Sequence, residues 1–93
     1  MKCSKHSKLT LIRAGLEKYS DYPKTAQRSL GEALFWVCDS LHHDMKADGA
    51  SDYLLGQILL IKEKAAEMVK RHLGAAEIEE ARVCCPKLMD AMP

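Results

Sequence analysis

The fold of this chain is decided by residues 24–73, which read KTAQRSLGEALFWVCDSLHHDMKADGASDYLLGQILLIKEKAAEMVKRHL. At 100° per residue, residues 24–46 place one set of apolar side chains on a single helical face: Ala26, Leu30, Leu34, Val37, Leu41 and Met45. Residues 52–73 do the same with Leu54, Ile58, Ile61, Ala65, Met68 and Val69, flanked by Leu55, Ala66 and Leu73. Asp48 and Gly49 break the pattern between them, and Ser51 can cap the second segment. The stretch predicts two long helices joined by a short turn.

Shorter helices are expected on both sides of this pair. The first is predicted from about Lys8 to Tyr19, with Ser7 as its N-cap and a break before Pro23. The last is predicted from Ala75 to about Cys84, with Pro86 ending it and residues 87–93 forming a frayed tail. The sequence therefore predicts an all-α fold, a small antiparallel bundle of three to four helices in one domain, residues 1–86.

Composition excludes several classes of protein. Ninety-three residues, 47% hydrophobic and 29% charged, leave room for one globular domain. The net charge of +1 excludes a histone-like protein, but residues 1–30 carry +5 and residues 31–52 carry −4. Three interpretations of this asymmetry remain open: a grip on nucleic acid, attraction to an acidic protein surface, or pairing of the two segments with each other.

The chain shows no targeting signal. No apolar stretch follows the basic N-terminus, and uninterrupted apolar runs such as residues 58–61 are far too short to span a membrane. Without export, the four cysteines are expected to be free thiols in a reducing cytoplasm. We therefore expect a cytoplasmic protein with no membrane partner.

The sequence contains only part of the ligand pattern that a metal site requires. Cys38 and His42 are four residues apart on a predicted helix and could reach one zinc ion, with further ligands from Cys3, His6, Cys84 or Cys85. No C-x-x-C or H-E-x-x-H spacing supports them, so the sequence predicts no cofactor and leaves a zinc-binding sensor as an alternative. Asp39 and His43 lack a positioned nucleophile, and no phosphate loop or catalytic triad is present, so we expect no enzymatic activity.

Three large apolar residues fall away from the predicted buried faces. Phe35 and Trp36 lie on either side of the polar face of their helix, and Leu60 lies among charged residues on the next. Either the first helix or the C-terminal segment covers them, or they form an interface.

The function predicted from these features is binding. We expect a non-enzymatic helical interaction protein that regulates or inhibits a larger partner, as a homodimer. The partner would offer an acidic or apolar patch. The predicted partner-binding residues are Phe35, Trp36, Leu60, Lys5, Lys8, Arg13, Lys24 and Arg28. The alternative is a nucleic-acid-binding regulator that uses the basic N-terminal third.

Overall fold

Two long helices form the framework of the molecule, and three shorter ones pack around them. The computed structural model describes residues 4–92. In chain order the helices are α1 (Lys5–Lys18), α2 (Lys24–Ala47), α3 (Asp52–Lys70), α4 (Ala75–Arg82) and α5 (Cys84–Asp90). A 3₁₀ turn, Tyr19–Asp21, follows α1, and residues 4–92 contain no β-strand. The predicted all-α bundle with two long helices is confirmed.

The two long helices run antiparallel and approach closely. Arg28, early in α2, donates from Nε to the carbonyl of Val69, at the end of α3. A Cβ on Gly31 would lie 2.7 Å from the Cβ of Met68, so only glycine permits this helix separation. The connecting turn uses Gly49 at a φ of 81°, and the Ser51 hydroxyl caps α3, as predicted.

The core lies where α1, α2, α3 and the C-terminal helices meet. Its fully buried large side chains include Leu9, Ile12, Leu16, Leu41, Ile58, Ile61, Met68, Ile78 and Leu88. None of the helices in residues 4–92 combines the length and apolar character that a membrane span requires.

A polar junction that includes the buried side chains of Gln27 and Tyr19 closes one end of the bundle. Gln27, on α2, donates to the carbonyl of Tyr19 at 3.0 Å, and its amide oxygen lies 2.9 Å from Nδ1 of His72. The Tyr19 hydroxyl accepts the backbone N–H of Leu73. These bonds join the end of α1, the start of α2 and the segment between α3 and α4.

The predicted start of α1 is wrong by three residues. The helix begins at Lys5, because Ser4 rather than Ser7 is its cap: the Ser4 hydroxyl accepts the N–H of Ser7 at 3.0 Å.

The predicted end of the third helix, at residue 73, is also wrong. Helix α3 ends at Lys70, and Arg71 is extended, with φ −157° and ψ 164°. The Arg71 guanidinium binds Glu67 and Glu77, and the Leu73 N–H binds Tyr19, so tertiary partners replace the last helical turn. Gly74 is then the N-cap of α4, and its N–H donates to Glu77.

Pro86 does not end the helical part of the chain, and the prediction that residues 87–93 form a frayed tail is wrong for residues 87–90. Pro86 is the third residue of α5, in the first turn, where its missing N–H removes no helical bond. Leu88 is completely buried and holds α5 in the core. Pro93 lies outside the described residues.

Candidate interaction surface

Trp36 is the most exposed large apolar side chain of the described residues, with 69% of its surface accessible. It lies in the middle of α2, one turn before Asp39, on the side away from the core. Phe35 beside it is half-buried and packs against the core. The two rings meet edge to face, with centroids 6.1 Å apart. Phe35 therefore packs between the core and Trp36. Neither α1 nor the C-terminal segment covers the indole.

Lys62 of α3 binds the part of α2 that carries Phe35 and Trp36. Its ammonium lies 4.8 Å from the centroid of the Phe35 ring and 2.8 Å from Oδ1 of Asp39. The hydrogen bond and the positive charge of Lys62 lower the pKa of Asp39. Because Lys62 reaches two residues that flank Trp36 in sequence, it fixes the backbone that presents the indole.

Two ion pairs show which face of α3 points away from the neighbouring helices. Lys62 points to α2, and Lys64 pairs with Glu80 of α4 at 2.8 Å, so Glu63 between them points away from both neighbours. Leu59 and Leu60 lie one turn before Glu63 and share its side of the helix. They are 47% and 48% exposed, so solvent reaches both. Leu60 was predicted here, whereas Leu59 was missed.

Tyr53 extends the same stripe. It lies seven residues, two helical turns, before Leu60 and is also exposed. Gly56 lies between them, and a Cβ there would have no neighbour within 4 Å. The helical periodicity that identified Leu60 as an apolar residue off the buried face could also have identified Tyr53. We call Trp36, Tyr53, Leu59 and Leu60 the outer apolar face.

The basic residues predicted to steer a partner do not form one surface. Lys5 pairs with Asp48, and Lys8 pairs with Asp44, across the α1–α2 contact. Arg13 pairs with Glu17 on its own helix at 3.5 Å. Of the three interpretations of the charge asymmetry, internal pairing therefore accounts for Lys5 and Lys8. Lys24 and Arg28 lie at the other end of α2, in a separate cleft.

The predicted zinc candidates lie on one helix without further ligands. Cys38 is fully buried and His42 is half-buried. No group of three or more His, Cys, Asp or Glu side chains in residues 4–92 could hold a metal ion, and Cys3 lies outside that range. Burial raises the pKa of the Cys38 thiol to about 12, which disfavours the thiolate that a metal requires.

Of the three predicted apolar anchors, Trp36 and Leu60 are therefore exposed to solvent, and Phe35 is half-buried. Comparison of the chain with family models, with curated proteins and with solved structures gives no match.

Proposed function

We propose that this chain is a non-enzymatic helical interaction protein that binds and regulates or inhibits a larger partner, and that it acts as a homodimer. The observation that carries the proposal is the 69% exposure of Trp36 on a rigid helix. Tryptophan is enriched at the energetic centres of protein interfaces, where its burial contributes most.

The surroundings of Trp36 support a binding role. The edge-to-face contact with Phe35 and the bonds of Lys62 hold α2 in place, so little side-chain freedom remains to be lost on binding. Leu59, Leu60 and Tyr53 add exposed apolar surface on α3. An apolar face of this kind on a small globular domain typically marks an interface.

The charged residues take a smaller part than the apolar ones. Lys5 and Lys8 already pair with carboxylates of their own chain, so an acidic partner would have to displace Asp48 and Asp44. We therefore assign the anchoring role to the outer apolar face, for which the second copy and the larger partner would compete. The proposal includes a cytoplasmic compartment, which is supported by the free thiols of Cys38, Cys84 and Cys85.

The homodimer is tested by measuring molar mass over a range of protein concentrations. We expect the wild-type chain to dimerise, and Trp36→Ala to shift the equilibrium to the monomer with unchanged helical content. Leu11→Ala is the matched control, because Leu11 is equally apolar and 54% exposed but lies on α1. A wild-type chain that stays monomeric at every concentration would contradict the homodimer.

The larger partner is tested by affinity capture from the native cells with the same three proteins. We expect a partner that the wild-type chain and Leu11→Ala retain and that Trp36→Ala loses. Equal retention by all three proteins would contradict a role for the outer apolar face. Unfolding of Trp36→Ala would show instead that the indole belongs to the core.

A further inference from the structure

A cleft of about 310 Å³ lies where the start of α2 meets the end of α3, away from the outer apolar face. Five of its lining residues are basic or imidazole side chains, and none is acidic: Lys24, Arg28, Lys70, Arg71 and His72. A concave site of this size is at the lower end of the range that small ligands occupy.

Three of these cations have no carboxylate partner. Glu67 and Glu77 bind the guanidinium of Arg71, at 2.8 and 2.5 Å, and these two carboxylates more than offset its single positive charge. No carboxylate in residues 4–92 lies within 4.0 Å of the ammonium or guanidinium nitrogens of Lys24, Arg28 or Lys70. By contrast, every one of Lys5, Lys8, Arg13, Lys62 and Lys64 is paired. Of the six lysine and arginine side chains in residues 4–92 that lie in no ion pair, three therefore line this one cleft, and the other three are Lys18, Lys46 and Lys87.

Arg28 is held in position for an anion. Its Nε donates to the Val69 carbonyl at 3.1 Å, which anchors the guanidinium plane against the end of α3. No acceptor in residues 4–92 binds the two terminal amino groups, so they are available as a fork. Such a fork matches two oxygens of a phosphate.

The backbone adds donors on the same side. Helix α2 has no side-chain cap and no acidic residue in its first turn, although it is the longest helix of the described chain. The N–H groups at the start of a helix have no partner within it, and the positive end of the helix dipole lies there. Thr25, in this first turn, lines the cleft beside Lys24.

We propose that this cleft binds a compact phosphate-bearing small molecule, with Lys24, Arg28 and Lys70 contacting the phosphate oxygens. A phosphate or polyphosphate group fits better than a carboxylate, because three cations and the helix start surround one concave site. A polynucleotide fits less well: its backbone requires several phosphate contacts along a track, and three of the four lysine and arginine residues of α1, namely Lys5, Lys8 and Arg13, are already paired with carboxylates. This site is independent of the outer apolar face.

The test is calorimetric titration of the full chain with inorganic tripolyphosphate and with adenosine triphosphate, at low and at physiological salt. We expect binding of both, with amide shifts in the NMR spectrum confined to the start of α2 and residues 70–72. The variant Lys24→Gln/Lys70→Gln should weaken binding at least about tenfold, because hydrogen bonds to charged groups each contribute that much. Both side chains are exposed, so this variant should fold as the wild type does.

The matched control is Lys46→Gln/Lys87→Gln, which removes the same charge from two exposed lysines outside the cleft. It should change the affinity less than about twofold, since distant surface charges are screened. Equal weakening by both double variants, or no binding by the wild type at low salt, would overturn the proposal. A third outcome would also overturn the proposal: a short single-stranded oligonucleotide could bind more tightly than either phosphate compound, and the control variant could weaken that binding too. The basic residues would then serve nucleic-acid binding.

Discussion

The hydroxyl oxygen of Tyr19 accepts a hydrogen bond from the backbone N–H of Leu73 at 2.8 Å, across 54 residues of sequence. Both residues are buried, so the bond is shielded from water. It joins the end of α1 to the segment that leads from α3 into α4. The extended conformation of Arg71 brings Leu73 to this position, which a continuous helix through residue 73 would not allow.

Removing the Tyr19 hydroxyl should therefore destabilise the fold. Tyr19→Phe leaves the ring but strands a buried N–H, which we expect to lower the free energy of unfolding by about 1–3 kcal/mol. Tyr22→Phe removes an exposed hydroxyl three residues away, and it should change the free energy of unfolding by less than about 0.5 kcal/mol. Urea denaturation followed by circular dichroism measures both. Equal losses in the two variants would show that the bond to Leu73 contributes nothing specific.

The contact at Gly31 gives a second stability prediction. In Gly31→Ala the new methyl group would lie 2.7 Å from the Met68 Cβ and 2.8 Å from the Ala65 carbonyl oxygen, so α2 and α3 must separate. Overpacking of this kind costs about 1–3 kcal/mol. Gly56→Ala is the opposite case, since it meets no neighbour within 4 Å and removes a flexible residue from a helix. Gly56→Ala should raise the free energy of unfolding by about 0.5–1 kcal/mol. If Gly31→Ala also raised the free energy of unfolding, the close contact between α2 and α3 would be contradicted.

The long helices could be predicted from the sequence because their signals are local. The turn at Gly49, the cap at Ser51 and the apolar periodicity all act within a few residues. The buried face of α2 was predicted less well. The predicted face included Leu30 and Val37, which are only half-buried, and the structure also buries Gln27, Gly31 and Cys38, which the prediction left out.

The difference arises because α2 packs between α1 and α3, and both neighbours set its buried arc. Hydropathy alone cannot place Gln27 in the interior, since its partners are the carbonyl of Tyr19 and the ring of His72. Likewise, the opposite charges of residues 1–30 and 31–52 are visible in the sequence. The pairing of Lys5 with Asp48 depends on α1 lying antiparallel to α2.

Glu77 should make the stability of the fold depend on acid pH. Its hydrogen bond from Arg71, and then the one from the Gly74 N–H, lower the pKa of Glu77 from 4.5 to about 2. Because the folded carboxyl releases its proton more readily than the unfolded one, its contribution is complete above about pH 4.5 and is lost as the pH falls through about 2. The free energy of unfolding of Glu77→Gln should therefore lie below that of the wild type at neutral pH.

Urea denaturation of both proteins from pH 7 downward measures this effect. The gap between them should narrow below pH 4.5 and close near pH 2. Glu63→Gln is the matched control, since Glu63 is exposed and forms no ion pair within the described residues. A gap between wild type and Glu77→Gln that stays constant down to pH 2 would mean that the Arg71 and Gly74 bonds do not act on the ionised carboxylate.

The buried thiols should be unreactive in the folded protein. Burial raises the pKa of Cys38 to about 12 and that of Cys85 to about 11, with neighbouring thiols adding to each shift, and burial also raises the pKa of Cys84. At neutral pH the reactive thiolate is therefore scarce as well as inaccessible. In a Cys3→Ser variant, alkylation by iodoacetamide, followed by mass spectrometry, should proceed only as fast as the fold opens and should accelerate sharply in urea. Alkylation of the native variant at the rate of an unfolded peptide thiol would show that α5 does not stay packed on the core, and would contradict the burial of Leu88 and Cys85.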